Sequence, residues 1–324
     1  MNKKQFLFLV LIGFCALGFS QTSNSVLSNG NWYKFSVDTT GVFKIDKALI
    51  EKMGINIANL NPKNIKIYGN GGAMLAQKNN AFRYSDLQEN AVYIEGEDDG
   101  VFNANDFILF YAKGPHDWVL NPSLETASHR QNIYSDKAYY FLTISDTNGK
   151  RISGIPENTN ASVKSITTFD DFIFYEKEER NLFAIGTQWF GEDFSVENVQ
   201  NFCLIFGAGD PNSPIKIKVA GAAISALSST MAVSVNNQNA FSIIYPGVTS
   251  GSLTLGFTNF NSANLNVSSP SLDVSITYNN NGNPGAKAYL DYIEIVGKKQ
   301  LLANGKQFSF RSFDAFKTNG VVEY

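Results

Sequence analysis

The run Leu272, Asp273, Val274, Ser275, Ile276, Thr277, Tyr278 decides the fold class. Apolar and polar residues alternate without a break. In a strand this places Leu272, Val274, Ile276 and Tyr278 on one face and the polar residues on the other, the signature of an antiparallel sheet with one buried side. The same alternation recurs at Ile215, Lys216, Ile217, Lys218, Val219 and at Ile65, Lys66, Ile67, Tyr68. Between such runs lie turn-forming clusters such as Asn279, Asn280, Asn281, Gly282, Asn283, whose residues tolerate left-handed backbone. One helix reads convincingly in the first half. Asp46 caps it, Leu49, Ile50 and Met53 share a face, and Gly54 ends it. Strands do not alternate with helices, which argues against a doubly wound α/β fold. The expectation is a mainly β protein: a β-rich N-terminal domain with one short helix, then an antiparallel β-sandwich.

Composition agrees. The 324 residues are 44% hydrophobic, 13% aromatic and 17% charged, which excludes a disordered chain. The formal net charge is -3 and no basic stripe occurs, so no nucleic-acid partner is expected. Lys3 and Lys4, an apolar run from Phe6 to Leu17, and small residues at Gly18 and Ser20 have the plan of a cleaved signal peptide over 1–20. That run is too short to span a bilayer. Phe14 before Cys15 does not suit a lipoprotein signal. The expectation is export across the inner membrane. The expected organisation is a β-rich domain over 21–155, a sandwich over 156–300, and a segment over 301–324 leading onward.

Few residues carry chemistry. After signal removal Cys203 stands alone, in the apolar run Phe202 to Phe206, where a buried inert thiol is expected. His116 and His129 are the only histidines, too few and too far apart for a zinc motif. His116 lies in the turn Gly114 to Trp118 and is expected to hydrogen-bond locally. The pairs Asp170–Asp171, Glu178–Glu179 and Glu192–Asp193 are expected to be solvated rather than catalytic. Gly69, Asn70, Gly71, Gly72 lacks the spacing of a phosphate-binding loop and reads as a tight turn. One acidic cluster resembles a cation loop. With Glu95 as position one, oxygen ligands fall at Glu95, Glu97, Asp99, Asn103 and Asp106, with Gly100 at the sharp turn. Calcium is the one cofactor this spacing suggests. A Glu at the first position, an Asp at the last and strand-like flanks depart from the pattern. A solvated acidic turn is the stronger reading.

Several stretches, in order, carry a family resemblance: Asn31 through Ile45, Ile67 to Gly72, Asp99 to Phe102, Asp106 to Pro115, Asn132 to Ser135, Tyr140 to Thr143, and Ala288 to Ile295. From about Asn31 to Leu302 the chain resembles the N-terminal region of the PorU-type sortases of the type IX secretion system, which are gingipain-like cysteine peptidases. The resemblance implies an exported endopeptidase that removes C-terminal sorting domains from secreted cargo and joins the cargo to a lipopolysaccharide-type anchor. Its chemistry uses a Cys nucleophile and a His base. Those motifs lie downstream of the region matched here, so no catalytic residue is assigned, and Cys203 and His116 are not substitutes. The implied location is the outer-membrane surface or periplasm of a gram-negative bacterium, and the implied partners are the chain's own downstream peptidase domain, outer-membrane secretion components and secreted cargo proteins. The reading from a different class is a free-standing secreted binding module for carbohydrate or protein, without catalysis.

Overall fold

The computed structural model describes residues 24–58, 60–182, 188–267, 269–303, 305 and 307–324. The expected signal peptide lies outside the described residues. Among the described residues no helix is long and apolar enough to cross a membrane.

Nine strands form the first part: β1 (Trp32–Val37), β2 (Gly41–Asp46), β3 (Ile65–Tyr68), β4 (Glu89–Asn90), β5 (Val92–Glu95), β6 (Phe107–Ala112), β7 (Asp117–Asn121), β8 (Thr126–Arg130) and β9 (Ala138–Ile144). They make antiparallel sheets in the orders β1-β9-β3-β4 and β2-β6-β5, with β7-β8 as a separate hairpin. The first two sheets share a core in which Ile45, Ile65, Ile67, Ile108, Phe110 and Leu142 are buried. Tyr140 closes it: its hydroxyl donates to Lys113 O at 3.0 Å and accepts from Lys113 N at 2.7 Å, so the buried phenol is satisfied. Gly69 lies against this ring, and a Cβ there would run into it. Helix α1 (Lys47–Lys52) is the one the sequence predicts. Asp46 Oδ1 accepts from Leu49 N at 3.0 Å, Ile50 is buried, and Gly54 follows at φ +85°.

The second part holds β10 (Lys164–Ser165), β11 (Thr168–Glu176), β12 (Val199–Ile205), β13 (Ile215–Ile224), β14 (Ser229–Val235), β15 (Gln238–Tyr245), β16 (Phe257–Leu265), β17 (Ser271–Asn279), β18 (Lys287–Gln300) and β19 (Val322–Glu323). Two four-stranded antiparallel sheets, β11-β18-β13-β16 and β12-β17-β14-β15, face each other across one core. The deciding run lies in β17, and Leu272, Val274, Ile276 and Tyr278 are all buried, as the alternation requires. The fold is mainly β and antiparallel. Among the strands of the described residues, only β10 and β19 pair in parallel.

The same alternation corrects the expectation for Cys203. Phe202 and Leu204 point into the core, so Cys203 and Ile205 face solvent on the outer side of β12. The carboxylate pairs also depart from expectation. Asp170 is buried, bonds Lys298 Nζ at 3.2 Å, and accepts from Phe313 N at 2.7 Å at the start of helix α2 (Phe313–Lys317). Glu192 is largely buried between Lys177 and the Tyr175 hydroxyl. Within 307–324 two residues pack back on the fold. Phe313 packs with Phe172 and Ala127, and the Gln307 amide bonds Val42 N at 2.6 Å and Val42 O at 3.1 Å.

Candidate functional site

The densest polar cluster sits where the β7-β8 hairpin lies on the sandwich. His129 on β8 is 4% exposed, between Glu176 at the end of β11 (10%) and Glu294 on the central strand β18 (3%). Its Nε2 is 2.6 Å from Glu176 Oε2, and its Nδ1 is 2.7 Å from Glu294 Oε1. Both ring partners are carboxylates, so an imidazolium donating from both nitrogens fits the site. Phe174 stacks on the ring at 4.1 Å and Tyr292 meets it edge-on at 5.0 Å. Burial pushes the His129 pKa down, but the hydrogen bonds and charges of Glu176 and Glu294 outweigh it and raise it to about 9. Burial pushes Glu294 up, and the bonds from His129 then hold it below the ordinary carboxylate range.

Charges surround this centre. Lys218 Nζ on β13 lies 3.3 Å from Glu294 Oε2. Burial lowers its affinity for a proton, but Tyr292 and Glu294 leave its pKa raised. Asp291 is buried and accepts from Gln188 Nε2 at 2.9 Å, and burial lifts its pKa to about 6. Burial, with Glu176 and Asp291 nearby, lifts Glu178 to about 7.

Such an arrangement pins the hairpin to the sheet. With both His129 nitrogens donating to carboxylates, neither is available as a general base. Nor, among the described residues, does a cysteine meet a histidine: Cys203 lies on the other sheet, with Sγ 3.2 Å from Ser271 Oγ. His116 does not behave as a locally bonded turn histidine. Its buried Nδ1 has no hydrogen-bond partner, its ring packs edge-on against Phe174 at 5.5 Å, and burial pushes its pKa down.

The acidic loop spends its oxygens internally. Asp106 Oδ2 accepts from Asn103 N at 2.6 Å, Asp99 Oδ2 accepts from Asn103 Nδ2 at 2.7 Å, and Glu97 pairs with Arg151 at 2.7 Å. Glu95 takes the Tyr93 hydroxyl on an outward face of β5. Gly96 and Gly100 hold left-handed backbone around a 3-10 turn, and a Cβ on Gly96 would strike the Asp106 carboxylate. Among the described residues no three His, Cys, Asp or Glu side chains converge to hold a metal ion.

Reasoning from the sequence missed the His129 centre. Its one signal is the presence of Asp291 and Glu294 inside the apolar run Tyr289 to Ile295, since carboxylates on a core strand need buried partners.

Taken together, the two sheet pairs and the pinned hairpin define the class, a β-sandwich joined to a smaller β domain. The family models contain no match to the sequence, and no curated protein matches it. Among solved structures, the fold is that of a PorU-like N-terminal region. Dimeric latent PorU from Porphyromonas gingivalis superposes with a TM-score of 0.75 at 23% identity, covering 91% of this chain and 27% of that one. The chain thus spans little more than a quarter of that protein's length. A calcium- and xylotriose-bound carbohydrate-binding module, CBM36, covers 39% of this chain and 98% of its own at 17% identity, with a TM-score of only 0.24. The CBM36-1 domain of a xylanase from the hindgut metagenome of Trinervitermes trinervoides covers 39% and 95% at 12% identity, with a TM-score of 0.25. Likenesses that weak carry no argument.

Proposed function

We propose that this chain is the N-terminal, non-catalytic part of an exported PorU-like sortase, a gingipain-type cysteine endopeptidase that cleaves C-terminal sorting signals from type IX cargo and attaches the cargo to the cell surface. The observation that carries this reading is the fold likeness across 91% of the chain. The ordered run of short motifs from Asn31 to Leu302 supports it independently. On this reading the catalytic His and Cys belong to a peptidase domain downstream, and the present region is a scaffold that positions that domain against outer-membrane secretion components. The exposed Cys203 and the locked His129 support assigning no chemistry here.

The test has two arms. In cells whose gene lacks codons 24–324, secreted cargo is expected to accumulate with its C-terminal signals uncleaved. Normal processing there overturns the reading. The isolated chain is expected to show no peptidase activity on cargo, and turnover lost on Cys203→Ala would overturn the non-catalytic assignment.

A further inference from the structure

Beside the His129 centre runs a groove of about 230 Å³ between the β7-β8 hairpin and strand β16. Lys216 and Lys218 on β13 and Glu294 on β18 form its charged floor. Thr126 and Ser128 on one wall and Ser262 on the other supply hydroxyls, and Phe260 stands at the rim, 59% exposed. The charges do not balance. Glu294 already serves His129 and Lys218, whereas the Lys216 ammonium has no hydrogen bond or ion pair among the described residues. The groove therefore holds an uncommitted ammonium beside a largely exposed aromatic ring. Lys218 Nζ sits 4.9 Å from the Phe260 ring centroid, which orients that ring over the floor.

We propose that this groove binds an acidic saccharide, seating one uronic-acid unit with its carboxylate on Lys216, its ring against Phe260 and its hydroxyls on Thr126, Ser128 and Ser262. A free lysine is the complement of a carboxylate, a flat aromatic face is the complement of the apolar side of a sugar ring, and side-chain hydroxyls both donate and accept. The volume falls below the ~300–1,000 Å³ of clefts that enclose a whole drug-sized ligand, which fits one ring of a chain that continues into solvent. An acidic peptide is the weaker fit. Added as a strand, it needs free main-chain edges, and nearby ones are taken: His129 N donates to Glu294 Oε1, and Ile244 O and Ser242 O accept from Asn259 and Asn261 side chains, each at 2.9 Å. This inference does not depend on the sortase reading and stands if that reading fails.

The experiment is calorimetric titration of the full chain with trigalacturonate, with a neutral galactose trisaccharide and penta-glutamate as comparison ligands. Saturable binding of the uronate at millimolar concentration is expected, weakening with added salt and about tenfold tighter than the neutral sugar. Lys216→Gln and Phe260→Ala, whose side chains are outside the His129 bonds, are each expected to weaken binding about tenfold while the urea midpoint is unchanged. Three results overturn the proposal: no uronate binding, equal binding of the neutral sugar or tighter binding of penta-glutamate, and binding that both variants leave intact.

Discussion

Glu294 holds His129 twice with a single oxygen. Its Oε1 accepts from the backbone N at 2.8 Å and from the ring Nδ1 at 2.7 Å, and its other oxygen takes Lys218 at 3.3 Å. One carboxylate on the central sandwich strand thus fixes the main chain and side chain of a hairpin that enters from the first part of the chain. Glu294→Gln keeps the shape but leaves His129 and Lys218 facing an amide. Breaking one member of a buried charge group typically costs about 3–5 kcal/mol. A loss of that order is expected in urea unfolding followed by circular dichroism. A loss below about 1 kcal/mol, the range of an exposed pair, would show that the hairpin is held by its aromatic contacts alone.

Stability is expected to fall as pH rises toward 10. His129 has its folded pKa raised to about 9, above an unfolded value of about 6.5. Its stabilising contribution is therefore complete below about 6.5 and lost as pH climbs through about 9, amounting to roughly 3 kcal/mol. The carboxyls of Asp291, lifted to about 6, and Glu178, lifted to about 7, act in the same sense at lower pH, since the folded form holds their protons longer. His116, pushed down by burial, acts oppositely near its ordinary range. The window from pH 7 to 9 therefore isolates His129 among Glu176, Glu294, Lys218 and Tyr292, because nearer pH 10 tyrosines ionise first in the unfolded chain while Tyr140, Tyr245, Tyr278 and Tyr292, raised by burial, keep their protons. The urea midpoint measured across it should decline in the native chain and stay nearly level in His129→Gln. A level profile in both would remove the protonated histidine from the account.

The fold was legible because strand alternation is a local property. Leu272 to Tyr278 and Ile215 to Val219 announce their buried faces without knowledge of their partners, and Asp46 announces a helix by its cap. At Cys203 two local signals conflict: the apolar neighbourhood suggests burial, while the two-residue period that buries Phe202 and Leu204 turns the thiol outward. The His129 centre was illegible for a different reason. Its members, His129, Glu176, Lys218 and Glu294, are spread over 165 positions of sequence, and topology alone brings them together. Asp170 and Glu192 look solvated in sequence for the same reason, since the lysines that meet them, Lys298 and Lys177, are distant along the chain.

Gln307 mimics a strand neighbour to β2 with its side-chain amide, accepting from Val42 N and donating to Val42 O. Both bonds are exposed, so Gln307→Ala is expected to change global stability by no more than about 1 kcal/mol. The local effect is larger. Hydrogen exchange at the Val42 amide should accelerate severalfold, with Val37 and Ile45 unchanged. An unaltered rate at Val42 would mean that the contact does not hold the later segment against the first part in solution.

Asp106 is the keystone of the acidic turn, since it is buried and ties the Asn103 amide across the left-handed Gly96. Asp106→Ala leaves that amide unpaired and is expected to cost about 1–3 kcal/mol in thermal or urea unfolding. The same loop has the oxygen spacing of a calcium site, and a calcium ion there would have to recruit Glu97 from Arg151 and Asp99 from Asn103. Calorimetry with millimolar calcium separates the two roles. With the carboxylates committed as they are, no saturable heat is expected and the melting temperature should be unmoved. Heat that saturates and disappears in Asp106→Ala would make the turn a cation site whose internal hydrogen bonds are the apo arrangement.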